Sequence, residues 1–222
     1  VSEAQVPLAA GDEAARFRLG VIDHALRLFA EQGYEATSVD AIAAAAGISR
    51  RTFFRQFGSK EDVVFADHEA QLAWARGYLG AAQGDPWDAV CEAIVGLFER
   101  FTQTRELAAR RYQVVREVPA LRDREIVTVF RYERLFTEFL RERRPEVADL
   151  RLIQFTAAVT ATHNYLLRRM LRGQAEAGPG ELRAALAAIP RGPAEELVVA
   201  VVPGNMSPRR VADLLAERLG NL

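Results

Sequence analysis

Hydrophobic positions recur at helical spacing along most of this chain. Phe17, Val21, Ala25 and Leu28, with Ile22 and Phe29 beside them, make one stripe that predicts a first helix from Phe17 to Glu31, stopped by Gly33. Val39, Ile42, Ala43 and Ala46 then fall at i, i+3, i+4 and i+7 on a short second helix. Thr37 and Asp40 open it as a T-x-x-D capping pattern, and Gly47 ends it because glycine tolerates positive φ. Ser49 can cap a third helix in which Phe53 and Phe57 lie four apart, with Ile48 placed to staple onto Phe53. Two helices joined by a glycine-containing turn are the grammar of a helix-turn-helix.

Ser59 can cap the next helix with Asp62 at its third position, and Glu61 to Leu79 reads as one long helix with Val64, His68, Leu72, Ala75 and Leu79 near one stripe. Asp85 and Pro86 restart a helix after Gly84 through a cap and a first-turn proline. Pro119 separates two amphipathic segments, Arg105 to Val118 and Ala120 to Arg144, and Pro145 stops the second. From Leu152 to Leu167 the following helix is apolar or uncharged on nearly all sides, so it should bury one face in its own domain and the other against something else. A partner subunit fits. Glu181 to Ile189 is one more short helix before Pro190. The run Leu197 to Val202 is a short strand or a buried extended segment, clamped on the body or swapped onto a partner, and Ser207 to Leu219 reads as a helix.

The predicted fold class is therefore all-α. An arm spans 1–11, a three-helix helix-turn-helix head 12–60, a helical ligand-sensing and dimerising body 61–190, and an extension 191–222.

Charge sharpens this picture locally. The whole chain is formally at −1, yet Ala41 to Lys60 carries Arg50, Arg51, Arg55 and Lys60 with no Asp or Glu. Screening limits exposed charges to a reach of about 8 to 10 Å, so this cluster acts on its own and suits phosphate. The arm has no basic residue to place in a minor groove, and Arg16 and Arg18 are better candidates.

Residues 17 to about 65 resemble the DNA-binding domain of the TetR family of bacterial transcriptional regulators. The resemblance rests on A-x-x-G-Y (Ala30, Gly33, Tyr34), then Thr37, then A-x-x-A-G-I-S from Ala43, T-F-F-R-x-F from Thr52, and S-K-E from Ser59. It implies DNA contacts at Thr37, Arg50, Arg51, Thr52, Phe54, Arg55 and Lys60. Arg51 stands where the family often has Gly, and Phe54 where it often has Tyr, so a tyrosine hydroxyl contact does not carry over. The Arg51 guanidinium can replace that contact or read a guanine edge. The resemblance further implies a homodimer on a pseudo-palindromic double-stranded operator, with Leu150 to Leu171 and Leu182 to Ile189 at the interface. A small-molecule effector in the body would then shift the population of DNA-competent dimers.

Composition excludes other classes. Cys91 is the only cysteine, which rules out an intrachain disulfide; no signal peptide or apolar run of about 18 residues is found, and the expected location is the cytoplasm. His24, His68 and His163 fall on three different predicted helices without metal-ligand spacing, and neither a glycine-rich phosphate loop nor a catalytic constellation occurs, so no metal, cofactor or catalytic residue is expected. The candidate effector contacts are His68, Trp87, Cys91, Phe98, Tyr112, Phe130, His163 and Asn164, with Arg110, Arg111 and Arg116 as possible anchors for an anionic head. His163 and Asn164, polar within the most apolar helix, need partners in a ligand, a second subunit or a backbone carbonyl. Many aromatic and branched residues against few uncharged polar ones favour a lipophilic or acyl-type effector. The rival readings are a constitutive or architectural DNA-binding protein and an enzyme.

Overall fold

Four serine or aspartate caps set the starts of successive helices. Ser38, Ser49, Ser59 and Asp85 each sit in extended backbone and accept a backbone N–H from the first turn of the helix that follows. The computed structural model describes residues 10–174 and 178–191, and the readings for 1–9 and for Leu197 to Leu219 lie outside them. Among the described residues the fold is all-α: α1 (Ala10–Gln32), α2 (Val39–Ala45), α3 (Arg50–Phe57), α4 (Lys60–Val64), α5 (His68–Ala81), α6 (Pro86–Gln103), α7 (Arg105–Glu117), α8 (Pro119–Arg143), α9 (Asp149–Leu171) and α10 (Pro179–Ala187).

Two hydrophobic cores organise these helices. The head core joins Ile22, Leu26 and Phe29 of α1 to Ile42 of α2, Phe53 of α3 and Val63 of α4. Phe53 is fully buried, which stabilises the head by about 3 kcal/mol relative to an exposed ring. Val114 and Val115 of α7 and Leu121 of α8 complete the same core, so the body closes the head from below. The body core is built on α6, whose Val90, Ile94, Leu97 and Phe98 meet α5, α8, α9 and α10. Gly96 permits the close approach of α5 and α6, since a Cβ there would lie 2.3 Å from the Trp74 ring.

Four expectations are corrected. Ser38, not Thr37, caps α2: its hydroxyl accepts from Ala41 N–H at 3.1 Å. The long helix expected from Glu61 to Leu79 is broken into α4 and α5 by a turn at Phe65, Ala66 and Asp67. The break lets Phe65 enter the head core and Asp67 turn inward, which one continuous stripe cannot do. Val63 and Val64 also belong to the head core, so the head extends past residue 60. Finally, the first helix begins at Ala10, ahead of its hydrophobic stripe.

Candidate nucleic-acid interface and effector pocket

The cap and the two buried phenylalanines orient α3. Ser49 holds its first turn, Phe53 and Phe57 point into the head, and Arg51, Phe54 and Arg55 are left exposed. Gly47, at φ 66°, makes the turn that brings α3 across α2. Arg50 pairs with exposed Asp40 at 2.6 Å, and its guanidinium lies 5.0 Å from the Phe54 ring centre. Arg51 and Arg55 make no ion pair among the described residues, so their charges are available to an anion. The Thr52 hydroxyl lies 3.0 Å from that of Ser49.

Thr37 and Lys60 are drawn inward instead. Thr37 is 1 % exposed, and its hydroxyl donates to Gly33 O at 2.8 Å and Leu28 O at 3.3 Å, fixing the end of α1. The Lys60 ammonium donates to Tyr34 O at 2.9 Å and lies 4.1 Å from the Tyr34 ring centre, while the Tyr34 hydroxyl donates to Glu61. Both residues therefore brace the turn before α2, which corrects their expected phosphate roles. Sequence could not separate them from Arg51 because all are polar residues of the same motif.

In the body, two small cavities adjoin and share Phe101, Asn164 and Leu167 as walls. The inner one, about 50 Å³, is also lined by Ile94, Tyr132, Thr160 and His163. The outer one, about 70 Å³, adds His68, Arg111, Tyr112, Glu125 and Arg168. Four of the expected effector residues, His68 of α5, Tyr112 of α7, and His163 and Asn164 of α9, thus come together from three different helices. Phe98 stands one layer behind, edge-on to His163 at 5.9 Å. Trp87 and Cys91 are buried near the start of α6 and line neither cavity; Trp87 packs on Phe155 at 4.6 Å. Phe130 is 60 % exposed on the outer face of α8, so its expected place in the pocket is corrected. Its spacing suited a core stripe, but the i±4 residues Ile126 and Arg134 are exposed with it.

The polar groups around these cavities form a network that sequence reasoning only half found. Asp67 and Arg111 pair at 2.8 Å with both side chains 9 % exposed, and Arg111 also reaches His68 Nε2 at 3.4 Å. His68 Nδ1 lies 3.0 Å from the Tyr132 hydroxyl. Arg111 is therefore committed to a carboxylate of its own chain, Arg110 pairs with Asp23, and Arg116 stacks 5.5 Å from Tyr112, so none stands free at a pocket mouth as expected. Despite its burial, Asp67 is held below the usual carboxylate range by the charge of Arg111 and its hydrogen bond. Burial pushes both His68 and His163 down to about 4, leaving them neutral near pH 7. His163 Nδ1 lies 3.2 Å from Asn164 Oδ1; its Nε2 and the Thr160 hydroxyl are buried without a hydrogen-bond partner among the described residues. Asp67 was missed because nothing in helical periodicity distinguishes a polar residue facing a cavity from one facing solvent.

Residues 21–66 match the family described as bacterial regulatory proteins, tetR family, and residues 84–194 match the one described as the MftR C-terminal domain. The chain belongs to the TetR family. A mycofactocin biosynthesis transcriptional regulator, MftR, of Mycobacterium tuberculosis is 31 % identical over 126 residues, covering 55 % of this chain and 63 % of that protein. The regulator TcmR of Streptomyces glaucescens is 54 % identical over 62 residues, 26 % of this chain and 27 % of that one. The chain thus spans less than two thirds of the length of either relative. Among solved structures, FadR of Bacillus subtilis in complex with stearoyl-CoA superposes with a TM-score of 0.58 at 18 % identity, covering 77 % of this chain and 96 % of that one, a likeness of fold. The first of these family models falls on the N-terminal helix-turn-helix head and the second on the helical domain that follows it. Among the described residues no helix is long and apolar enough to cross a membrane.

Proposed function

We propose that this TetR-family protein is a repressor released from its operator by a lipophilic or acyl-type small molecule that enters between α5, α6, α7, α8 and α9. The observation that carries the reading is the pair of adjoining cavities with mainly apolar walls, in which His163 Nε2 and the Thr160 hydroxyl are buried and unpaired. Ligand pockets of this kind are mostly apolar with a few placed polar groups, and an acyl chain gains about 0.8 kcal/mol per buried methylene. Ligand sites usually measure about 300 Å³ or more, so binding must swing the dividing side chains, Phe101 and Leu167, aside. The stearoyl-CoA held by Bacillus subtilis FadR, a protein of like fold, agrees in ligand class.

DNA is met by Arg50, Arg51, Thr52, Phe54 and Arg55 of α3, in a homodimer that binds a pseudo-palindrome. The outer face of α9 supports the dimer, since Leu150, Ile153 and Tyr165 are 65 %, 41 % and 61 % exposed. Adding acyl-CoAs and free fatty acids of graded chain length to the protein–operator complex tests the effector reading. Release that rises with chain length is expected; no release at any length, with aromatic compounds acting instead, overturns the acyl class.

A further inference from the structure

Asp67 occupies a cap position that it does not use. At the other side-chain-capped starts, Ser38, Ser49, Ser59 and Asp85, ψ lies between 123° and 173° and the side chain accepts a backbone N–H. Asp67 precedes α5 with ψ −22° and no side-chain cap bond, because its carboxylate is turned to Arg111. The pairing is incomplete on both sides: among the described residues, Asp67 Oδ1 and Arg111 Nε are each buried without a hydrogen-bond partner. Arg111 also lines the outer cavity, and Asp67 lies in the turn that links α4, part of the head core, to α5, part of the body core.

We propose that Arg111 is the receptor for the carboxylate of an amphipathic effector, and that Asp67 is the group it releases when that carboxylate arrives. The inference rests on the effector reading above and adds the charged group recognised and the residue that senses it. A guanidinium presents its donors in a fork matched to a carboxylate, so one carboxylate can replace another on Arg111 with its charge compensated throughout. The outer cavity, about 70 Å³, has room for such a group beside Arg111, where Tyr112 and Asn164 supply further polar contacts. Glu125 lines the same cavity, but its charge is met by Arg168 at 3.1 Å. Once released, Asp67 can adopt the extended backbone of the other caps and accept from the first turn of α5. That change alters the turn after α4 and therefore the seat of the head on the body, giving a two-state element biased by the ligand's own charge.

The test uses the full chain with dodecanoate and, as an uncharged probe of equal chain length, dodecanol. Operator release and the thermal midpoint are followed for the wild type, for Asp67→Asn, and for the double variant Asp67→Asn/Arg111→Gln, which removes both charges and leaves no unpaired ion buried. In the wild type, dodecanoate should act at a concentration at least about 10-fold below that of dodecanol, the discrimination that about 1.4 kcal/mol provides. The double variant should bind both probes equally while keeping its helical circular dichroism. Asp67→Asn should bind the operator more weakly without any ligand, and Asp67→Glu should restore part of the affinity. Equal action of the two probes on the wild type overturns the role of Arg111 and leaves the effector reading standing. Asp67→Asn with wild-type operator affinity and wild-type response overturns the switch. If neither probe binds the wild type, this inference falls; failure of the graded acyl series as well would bring down the effector reading with it.

Discussion

On α3 of the head, Arg51 and Arg55 stand in solvent with no carboxylate partner among the described residues, whereas in the body Arg111 is buried and held by Asp67 at 2.8 Å. Apart from exposed Phe54 and the inward-drawn Lys60, α3 and the start of α4 keep apolar side chains inside and cations outside, with Phe53 and Phe57 in the head core. The body places polar groups inside as well: His68 with Tyr132, Thr137 with Thr156 at 2.8 Å, and His163 with Asn164. Exposed charge is attracted to phosphate over a Debye length and is screened by salt. Buried charge has little reach, and losing its partner is costly. Under the proposed function, this difference is what lets one chain bind a long polyanion with one end and discriminate among small molecules with the other.

The largest expected effect tests the buried side of this contrast. Arg111→Ala leaves the Asp67 carboxylate uncompensated inside the protein and should destabilise it by about 3 to 5 kcal/mol in urea unfolding. A loss within about 0.5 kcal/mol would mean that water reaches this pair and the contrast is false. Phe53→Ala should cost a similar 3 to 5 kcal/mol through a cavity in the head, abolishing operator binding by unfolding rather than by lost charge.

Acid should weaken the body next. His163 is neutral when folded because burial lowers it from 6.5 to about 4. The unfolded chain binds the proton first, so its contribution is fully present above about pH 6.5 and is lost as pH falls toward 4. The loss approaches about 3 kcal/mol, and His163→Gln should flatten that part of the stability profile. An unchanged profile in the variant would assign the acid sensitivity elsewhere.

Smaller effects should appear on the head. Arg51→Ala and Arg55→Ala should each weaken operator binding by about 1 to 3 kcal/mol while moving stability by less than about 0.5 kcal/mol. Loss of a phosphate contact would also reduce the slope of log affinity against log salt by about 0.9 per site. An intact slope with relaxed base preference would instead assign Arg51 to a guanine edge. Smallest of all, Arg124→Ala breaks a half-exposed pair with Asp62 and should cost no more than about 1 kcal/mol.

What the chain determines by itself is local. Caps, glycine stops and i, i+3, i+4 stripes specify where helices begin, end and turn their apolar side, because those signals act within a few residues. Hence the head was legible down to Ser49 as a cap, Phe53 and Phe57 as core, and Arg51 and Arg55 as outer cations. The same local rules gave His68, Tyr112, His163 and Asn164 only as candidates, and they put Phe130 in the pocket where the fold turns it outward. Tertiary structure decided whatever depends on a partner distant in sequence. Asp67 breaks the expected long helix because Arg111, on α7, receives its carboxylate; Thr37 and Lys60 turn inward because the carbonyls that end α1 and precede α2 need donors. A buried charge or polar group takes its position from the partner that compensates it, and no periodicity in the chain encodes which partner that will be.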